Sequence, residues 1–273
     1  MKLTTIEEQL LFSTLRIESL DEKDEVVSIG TGFLIKREVH PQEYVVYLVS
    51  NKHVLFASDK IRLTFTQKDT SGQEPEIGKT MTFPISDIVK NLHIHSNPSV
   101  DIAVMSVTGL FISFPFLFFK AIGYEMLADF AEEELSVAQN VAFIGYPDNR
   151  FDQKNNLPLI RTGVISSHPK VNYNNEPIFI IDAQVFPGSS GSPLIINLSV
   201  EHWKTGNITI GGTPKIKLLG VVAATMIRNN KLQSLSTSKS SVLSTQEVIG
   251  LGIVYKSTAL KEIIDAIPIS SVR

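Results

Sequence analysis

The residues best suited to covalent chemistry lie in the stretch Phe186-Pro187-Gly188-Ser189-Ser190-Gly191-Ser192-Pro193-Leu194. Ser190 stands between glycines in the frame Gly-x-Ser-Gly-x-Pro, ahead of an apolar run, which suits a nucleophile. Glycines at 188 and 191 permit a tight turn and let backbone N–H groups approach a substrate carbonyl that a side chain would obstruct. Glycine–serine clusters also build ordinary turns, so this stretch alone leaves both readings open. Two other segments hold the groups such a serine would need. Residues 45–55, Val-Val-Tyr-Leu-Val-Ser-Asn-Lys-His-Val-Leu, read as a β-rich run that reaches His53, and residues 99–107 put Asp101 at the mouth of an apolar strand. A histidine can take a serine proton, and a carboxylate can fix the imidazole tautomer. A lone histidine after a strand is more often structural, and a lone aspartate before one is usually solvated. Their joint occurrence with Ser190 is what carries weight.

The order His53, Asp101, Ser190 is that of the chymotrypsin-type triad. The gaps of 48 and 89 residues leave one β-barrel's worth of chain on each side of the aspartate. The chain resembles the trypsin-like serine proteases of the chymotrypsin fold, with HtrA-like bacterial intracellular members the nearest in character. Gly30-Thr31-Gly32-Phe33 is similar to the family's first-barrel Gly-Ser/Thr-Gly-Phe strand, Asn51-Lys52-His53-Val54 to its Asn-x-His-Val motif, and Asp101-Ile102-Ala103-Val104 to its Asp-Leu/Ile-Ala-Val motif. Ile144-Gly145-Tyr146-Pro147, Leu219-Gly220-Val221-Val222 and Gly250-Leu251-Gly252-Ile253 resemble second-barrel strands. The likeness runs over about residues 11–268.

That resemblance implies an all-β fold of two antiparallel six-stranded β-barrels with a short C-terminal helix. Residues 1–122 would carry His53 and Asp101, and residues 123–273 would carry Ser190 and the helix. It implies a serine endopeptidase in which His53 is the general base, Asp101 orients it, and Ser190 forms an acyl-enzyme. The N–H groups of Gly188 and Ser190 would form the oxyanion hole. By the same resemblance the primary pocket has its floor near Gln184 and its walls near Ala223, Ala224, Thr225 and Gly252. None of these is charged, and Thr225 narrows the entrance, which favours a small or medium uncharged side chain. Two departures stand out. Ser189 occupies the place of the aspartate that pairs with a freshly cut N-terminus in zymogen-type members, so activation by N-terminal insertion is not expected. Ser192 replaces a glycine that usually follows the nucleophile. No PDZ domain of the kind common in HtrA-like proteins is expected, and a protease without its own zymogen switch calls for control by a protein partner or by oligomerisation, as in bacterial stress or defence pathways.

The elements that would position these groups are mainly strands. Residues 11–18, 29–36, 44–50, 61–66 and 101–107 read as first-barrel strands, and residues near 140–146, 160–166, 178–183, 193–197, 216–224 and 250–255 as second-barrel strands. Lys68 to Gly78 reads as a polar connection, Tyr124 to Leu135 as a short acidic helix between the barrels, and Ser257 to Ala266 as a capped terminal helix. The run Leu110 to Phe119 is too short for a membrane helix and contains Pro115, so it is either a buried linker or a partner patch. Asn197 to Gly212, with Trp203, reads as an extended hairpin, and Ser234 to Ser244 as a mobile rim loop. His93 and His95 form a His-x-His pair without a third ligand at metal spacing, while His40, His168 and His202 sit in polar contexts, so no metal or other cofactor is expected.

With 273 residues, 43% of them hydrophobic, the chain can bury a large core. A net charge of −3 argues against nucleic acid as a main partner, and the absence of cysteine fits a reducing compartment. Met1 to Gln9 lacks an apolar targeting segment, so a cytoplasmic location is expected, with a protein or peptide substrate and no membrane partner. Two other function classes remain: a catalytically latent protease fold that binds peptides or acts as a scaffold, and a hydrolase that acts on esters.

Overall fold

The computed structural model of the chain describes residues 1–198, 203–204, 207–208, 215–233 and 242–268. Runs rich in valine, isoleucine and phenylalanine pair into two antiparallel sheets. The first contains β1 (Thr14–Leu20), β2 (Val26–His40), β3 (Glu43–Ser50), β4 (Lys60–Lys68), β5 (Pro75–Ser86) and β6 (Ala103–Ser106). Their hydrogen-bonded order is β5-β4-β1-β2-β3-β6, and three two-residue pieces, His93–Ile94, Leu117–Phe118 and Ile122–Gly123, extend the sheet to nine strands. The second contains β7 (Asn140–Gly145), β8 (Leu159–Ile165), β9 (Ile178–Asp182), β10 (Pro193–Asn197), β11 (Ile216–Gln233) and β12 (Val242–Lys256). These close into a barrel in the order β7-β8-β9-β12-β11-β10. The protein is thus mostly β, with two antiparallel sheets, one a closed six-stranded barrel, and a short terminal helix α4 (Ser257–Ala266) that follows α1 (Ile6–Leu10), α2 (Lys52–Leu55) and α3 (Thr108–Ser113).

Strand alternation builds three cores. Along β3, Val46 and Leu48 face the interior of the first sheet, while Val45, Tyr47 and Val49 face a core shared with the barrel. Phe33 and Ile35 on β2 do the same on one side and Leu34 on the other. A strand flanked on both faces reads as a continuous apolar run, as this one does. The shared core takes Ile144, Ile195, Leu218 and Val221 from the barrel and Leu260, Ile263 and Ile264 from α4. A third core fills the barrel around Phe143, Phe179, Leu194 and Val254. No helix among the described residues is long and apolar enough to cross a membrane.

Several local expectations change. Between 124 and 135 there is one 3₁₀ turn, Tyr124–Met126, rather than an acidic helix. Asp129 Oδ1 accepts from the Ala131 N–H, Glu132 Oε1 accepts from the Asp129 N–H, and Phe130 sits at φ +63°, so side chains capture the amides a helix would use. The polar connection Lys68 to Gly78 is shorter than expected, since β5 begins at Pro75. Ser257 does not cap α4. Lys256 holds that position, and the buried Ser257 hydroxyl donates to the Ala128 carbonyl at 2.7 Å. The run from Leu110 to Phe119 is divided: Leu117 and Phe118 are buried, Phe111, Phe114 and Phe119 pack partly on the first core, and Ile112 is exposed. Of the 197–212 hairpin, the structure describes the pairs Trp203 with Ile208 and Lys204 with Asn207. His202, the remainder of that hairpin beyond Leu198 and residues 234–241 of the serine-rich segment lie outside the described residues.

Candidate active site

The histidine comes from a break in the first sheet. β3 ends at Ser50, as the expected strand 44–50 does, and the chain turns through Asn51 into the single turn of α2, so His53 follows the strand on a short helix. Asn51 is fully buried, and its Nδ2 donates to the Asp101 carbonyl at 2.6 Å. That bond ties the turn before His53 to the segment entering β6. The Asp101 carboxylate then grips His53 twice: Oδ1 accepts the His53 backbone N–H at 3.1 Å, and Oδ2 lies 2.5 Å from Nδ1. Two contacts from one carboxylate fix ring orientation as well as tautomer, leaving Nε2 for other chemistry. The imidazole is 52% exposed and the carboxylate 24%, so the pair is open to a ligand from one side. Beside it the Tyr255 hydroxyl donates to the Ser99 carbonyl at 2.7 Å. Burial first, and the Asp101 charge second, push the Tyr255 phenol above its ordinary range, so it remains a neutral donor.

The serine comes from the turn between β9 and β10. Gly191 sits at φ +89°, and a Cβ there would lie 1.9 Å from the Thr31 carbonyl oxygen. Only glycine fits, because the turn is pressed against β2. The Thr31 N–H donates to the Ser190 carbonyl at 2.9 Å, and the Gly191 N–H donates to Val222 O at 2.8 Å, so both sheets hold the nucleophile's backbone. The Ser190 hydroxyl donates to the Ala223 carbonyl at 2.8 Å. The structure therefore pairs His53 with Asp101, while Ser190 is paired with the edge of β11.

Between Gly188 and Ser192, two N–H groups have no acceptor among the described residues, those of Gly188 and Ser190. Their direction follows from their own peptide carbonyls, since N–H and C=O point opposite ways across a trans peptide. Pro187 O accepts from the Asp148 N–H at 2.6 Å, and Ser189 O accepts from the Ser192 N–H at 3.0 Å. Each bond turns the attached N–H of the next residue away from it. Gly188 reaches this geometry at φ +86°, with Tyr146 O 2.4 Å from where a Cβ would stand. Ser189 and Ser192 are buried, and both hydroxyls lack a partner among the described residues.

The expected pocket residues gather at one end of the barrel. Gly252 pairs with Ile181 on one side and Thr225 on the other, and the Ala183 N–H donates to Gly250 O at 2.8 Å. Gln184 is exposed, and the side chain lying over Gly252 is that of the buried Val185, 2.7 Å from its Cβ position. Thr225 Oγ1 donates to Leu251 O at 3.4 Å. Of Ala224 the structure describes the backbone pairing with Ile253. His95 lies apart from the site and meets Glu262 of α4 at 2.7 Å. Thr31, Asn51 and Asp148 were not singled out from the sequence as site residues. The only signal for Thr31 was its place in the Gly30-Thr31-Gly32-Phe33 motif.

A family model described as a trypsin-like peptidase domain matches residues 30–199, a span that includes His53, Asp101 and Ser190. No curated protein matches the chain. Among solved structures, the protease Rv3671c from M. tuberculosis is similar in its active form at 20% identity and TM-score 0.47, over 94% of this chain and 81% of that one. Its inactive form gives 18% and 0.45, over 95% and 90%. The MamO protease domain from Magnetospirillum magneticum gives 12% and 0.48, over 94% and 98%.

Proposed function

Since the chain belongs to the family of trypsin-like peptidase domains, we propose that it is a serine endopeptidase working through His53, Asp101 and Ser190. The observation that carries this reading is the doubly held Asp101–His53 pair, together with a serine turn whose N–H groups at Gly188 and Ser190 have no acceptor among the described residues and are aimed by their neighbours. His53 Nε2 takes the proton from the Ser190 hydroxyl as Oγ attacks the scissile carbonyl carbon, and returns it to the leaving amine as the C–N bond breaks. Asp101 stabilises the imidazolium that forms between these steps. The carbonyl oxygen becomes an oxyanion held by the Gly188 and Ser190 N–H groups, each worth about 10²–10³-fold in rate. Water then attacks the acyl-enzyme, with His53 again as base.

The Ser190 hydroxyl must first leave the Ala223 carbonyl for His53. That contact also favours a second reading, a catalytically latent protease fold that binds peptides or serves as a scaffold. In the preferred reading an extended substrate pairs with the Ala223–Thr225 edge, and the uncharged surroundings of Thr225, Val185 and Gly252 select a small or medium apolar side chain. Cytoplasmic location, control by a protein partner or oligomerisation, HtrA-like kinship and a bacterial stress or defence role belong to the same proposal and rest on the sequence argument.

The test is cleavage of a peptide library by the purified protein, with Ser190→Ala as control. Cleavage after small uncharged residues, lost in the variant, is expected. Cleavage that survives Ser190→Ala contradicts the assignment, and binding of peptides without cleavage favours the second reading.

A further inference from the structure

We propose that Thr31 is a positioning residue whose hydroxyl sets the oxyanion hole from the opposite sheet, an inference that rests on the serine-peptidase reading. Thr31 lies on β2, is fully buried, and uses every hydrogen-bonding group it has on the catalytic machinery. Its N–H donates to the Ser190 carbonyl at 2.9 Å, and its carbonyl accepts from the Ser50 hydroxyl at 2.6 Å, three residues before His53. Its own hydroxyl donates to the Gly188 carbonyl at 2.6 Å and accepts from the Tyr146 N–H at 3.2 Å.

The roles within this hydroxyl are fixed by counting hydrogens. A backbone N–H only donates, so Oγ1 is the acceptor for Tyr146, and its single hydrogen is left for the Gly188 carbonyl. Gly188 is thereby held at both ends, since Asp148 holds the preceding carbonyl and Thr31 holds its own. A glycine at φ +86° has no side chain to resist rotation, so these two bonds set where its N–H points. The same hydroxyl also fixes Tyr146, whose following loop supplies the Asp148 N–H. One side chain of the His53-bearing sheet thus sets the donor geometry of the Ser190-bearing turn. A displaced donor weakens stabilisation of the oxyanion while leaving the substrate's other contacts in place, so the loss falls on kcat rather than on KM.

The experiment compares Thr31→Val, which keeps the shape and removes both bonds, with Thr31→Ser, which keeps both. Thr31→Val is expected to lower kcat about 100-fold, the scale of one lost oxyanion donor, with KM little changed. Thr31→Ser is expected to retain most of the wild-type kcat. If Thr31→Val does not fold, Thr31→Ala makes the same comparison without placing a methyl group against polar neighbours. Hydrogen exchange at the Tyr146 amide is measured alongside: protected in the wild type and Thr31→Ser, fast in the variant without a hydroxyl. An active wild type with Thr31→Val at full kcat overturns the inference, as does equal loss in both variants. An inert wild type contradicts the peptidase reading instead, and Tyr146 exchange unchanged by the loss of the hydroxyl then overturns the inference on its own.

Discussion

Ser192 and Ser189 flank the proposed nucleophile with buried hydroxyls that have no partner among the described residues. A buried hydroxyl without a hydrogen bond costs about 1–3 kcal/mol. Ser192→Ala is therefore expected to leave the fold as stable as the wild type, or to stabilise it by roughly 1 kcal/mol, in urea denaturation. A loss of stability would mean that the Ser192 hydroxyl has a partner after all. The opposite holds one residue earlier. Gly191→Ala forces a Cβ to within 1.9 Å of the Thr31 carbonyl at φ +89°, and neither backbone can yield without opening the turn. That variant is expected to lose more than about 3 kcal/mol or fail to fold, as judged by thermal denaturation. Gly191 is thus demanded by the contact with β2, which a local motif does not reveal.

At the scale of elements, α4 closes the shared core with Leu260, Ile263 and Ile264 and is held at its end by Arg37, which meets Asp265 at 3.1 Å and donates to Ile264 O at 2.9 Å. Leu260→Ala is expected to cost about 2–5 kcal/mol, read as a shift in the urea midpoint. At the end of β12, burial pushes the Lys256 ammonium below its ordinary 10.5. The unfolded chain then binds more protons than the folded one between the two values, so this residue's contribution to stability rises as pH climbs through that window and levels off near 10.5. Lys256→Met is expected to flatten the rise in stability between neutral and alkaline pH, measured as urea midpoints against the wild type. An unchanged slope would contradict it.

The long apolar strands and α4 were legible because burial on both faces, or at helical spacing, leaves a pattern in the chain. β5 was not, because most of its residues between Pro75 and Phe83 are exposed or half-buried and polar ones dominate. The 124–135 segment misled for a different reason: acidic residues that favour a helix start here bind nearby amides and stop one. The candidate set His53, Asp101 and Ser190 was proposed from motif order. The supports of that set, Thr31, Asn51 and Asp148, act through bonds between residues distant in the chain, for which sequence spacing offers no signal.

At the scale of the whole molecule, each sheet has its own core, and a third core shared by both sheets and α4 joins them. Unfolding of either should expose apolar surface on the other, and a single calorimetric transition is expected. Two separated transitions would contradict that coupling. The proposed site lies across the same junction, with His53 and Asp101 on one side and Ser190 on the other, linked through Thr31. The measurement that tests this most directly is labelling of the purified protein by a fluorophosphonate, with Ser190→Ala and His53→Ala as controls. Such a probe reacts only with a serine that has both a base and an oxyanion hole. Labelling of the wild type alone is predicted, at a site that peptide mapping places on Ser190. No labelling, or labelling that persists in either variant, would contradict an assembled His53–Asp101–Ser190 centre.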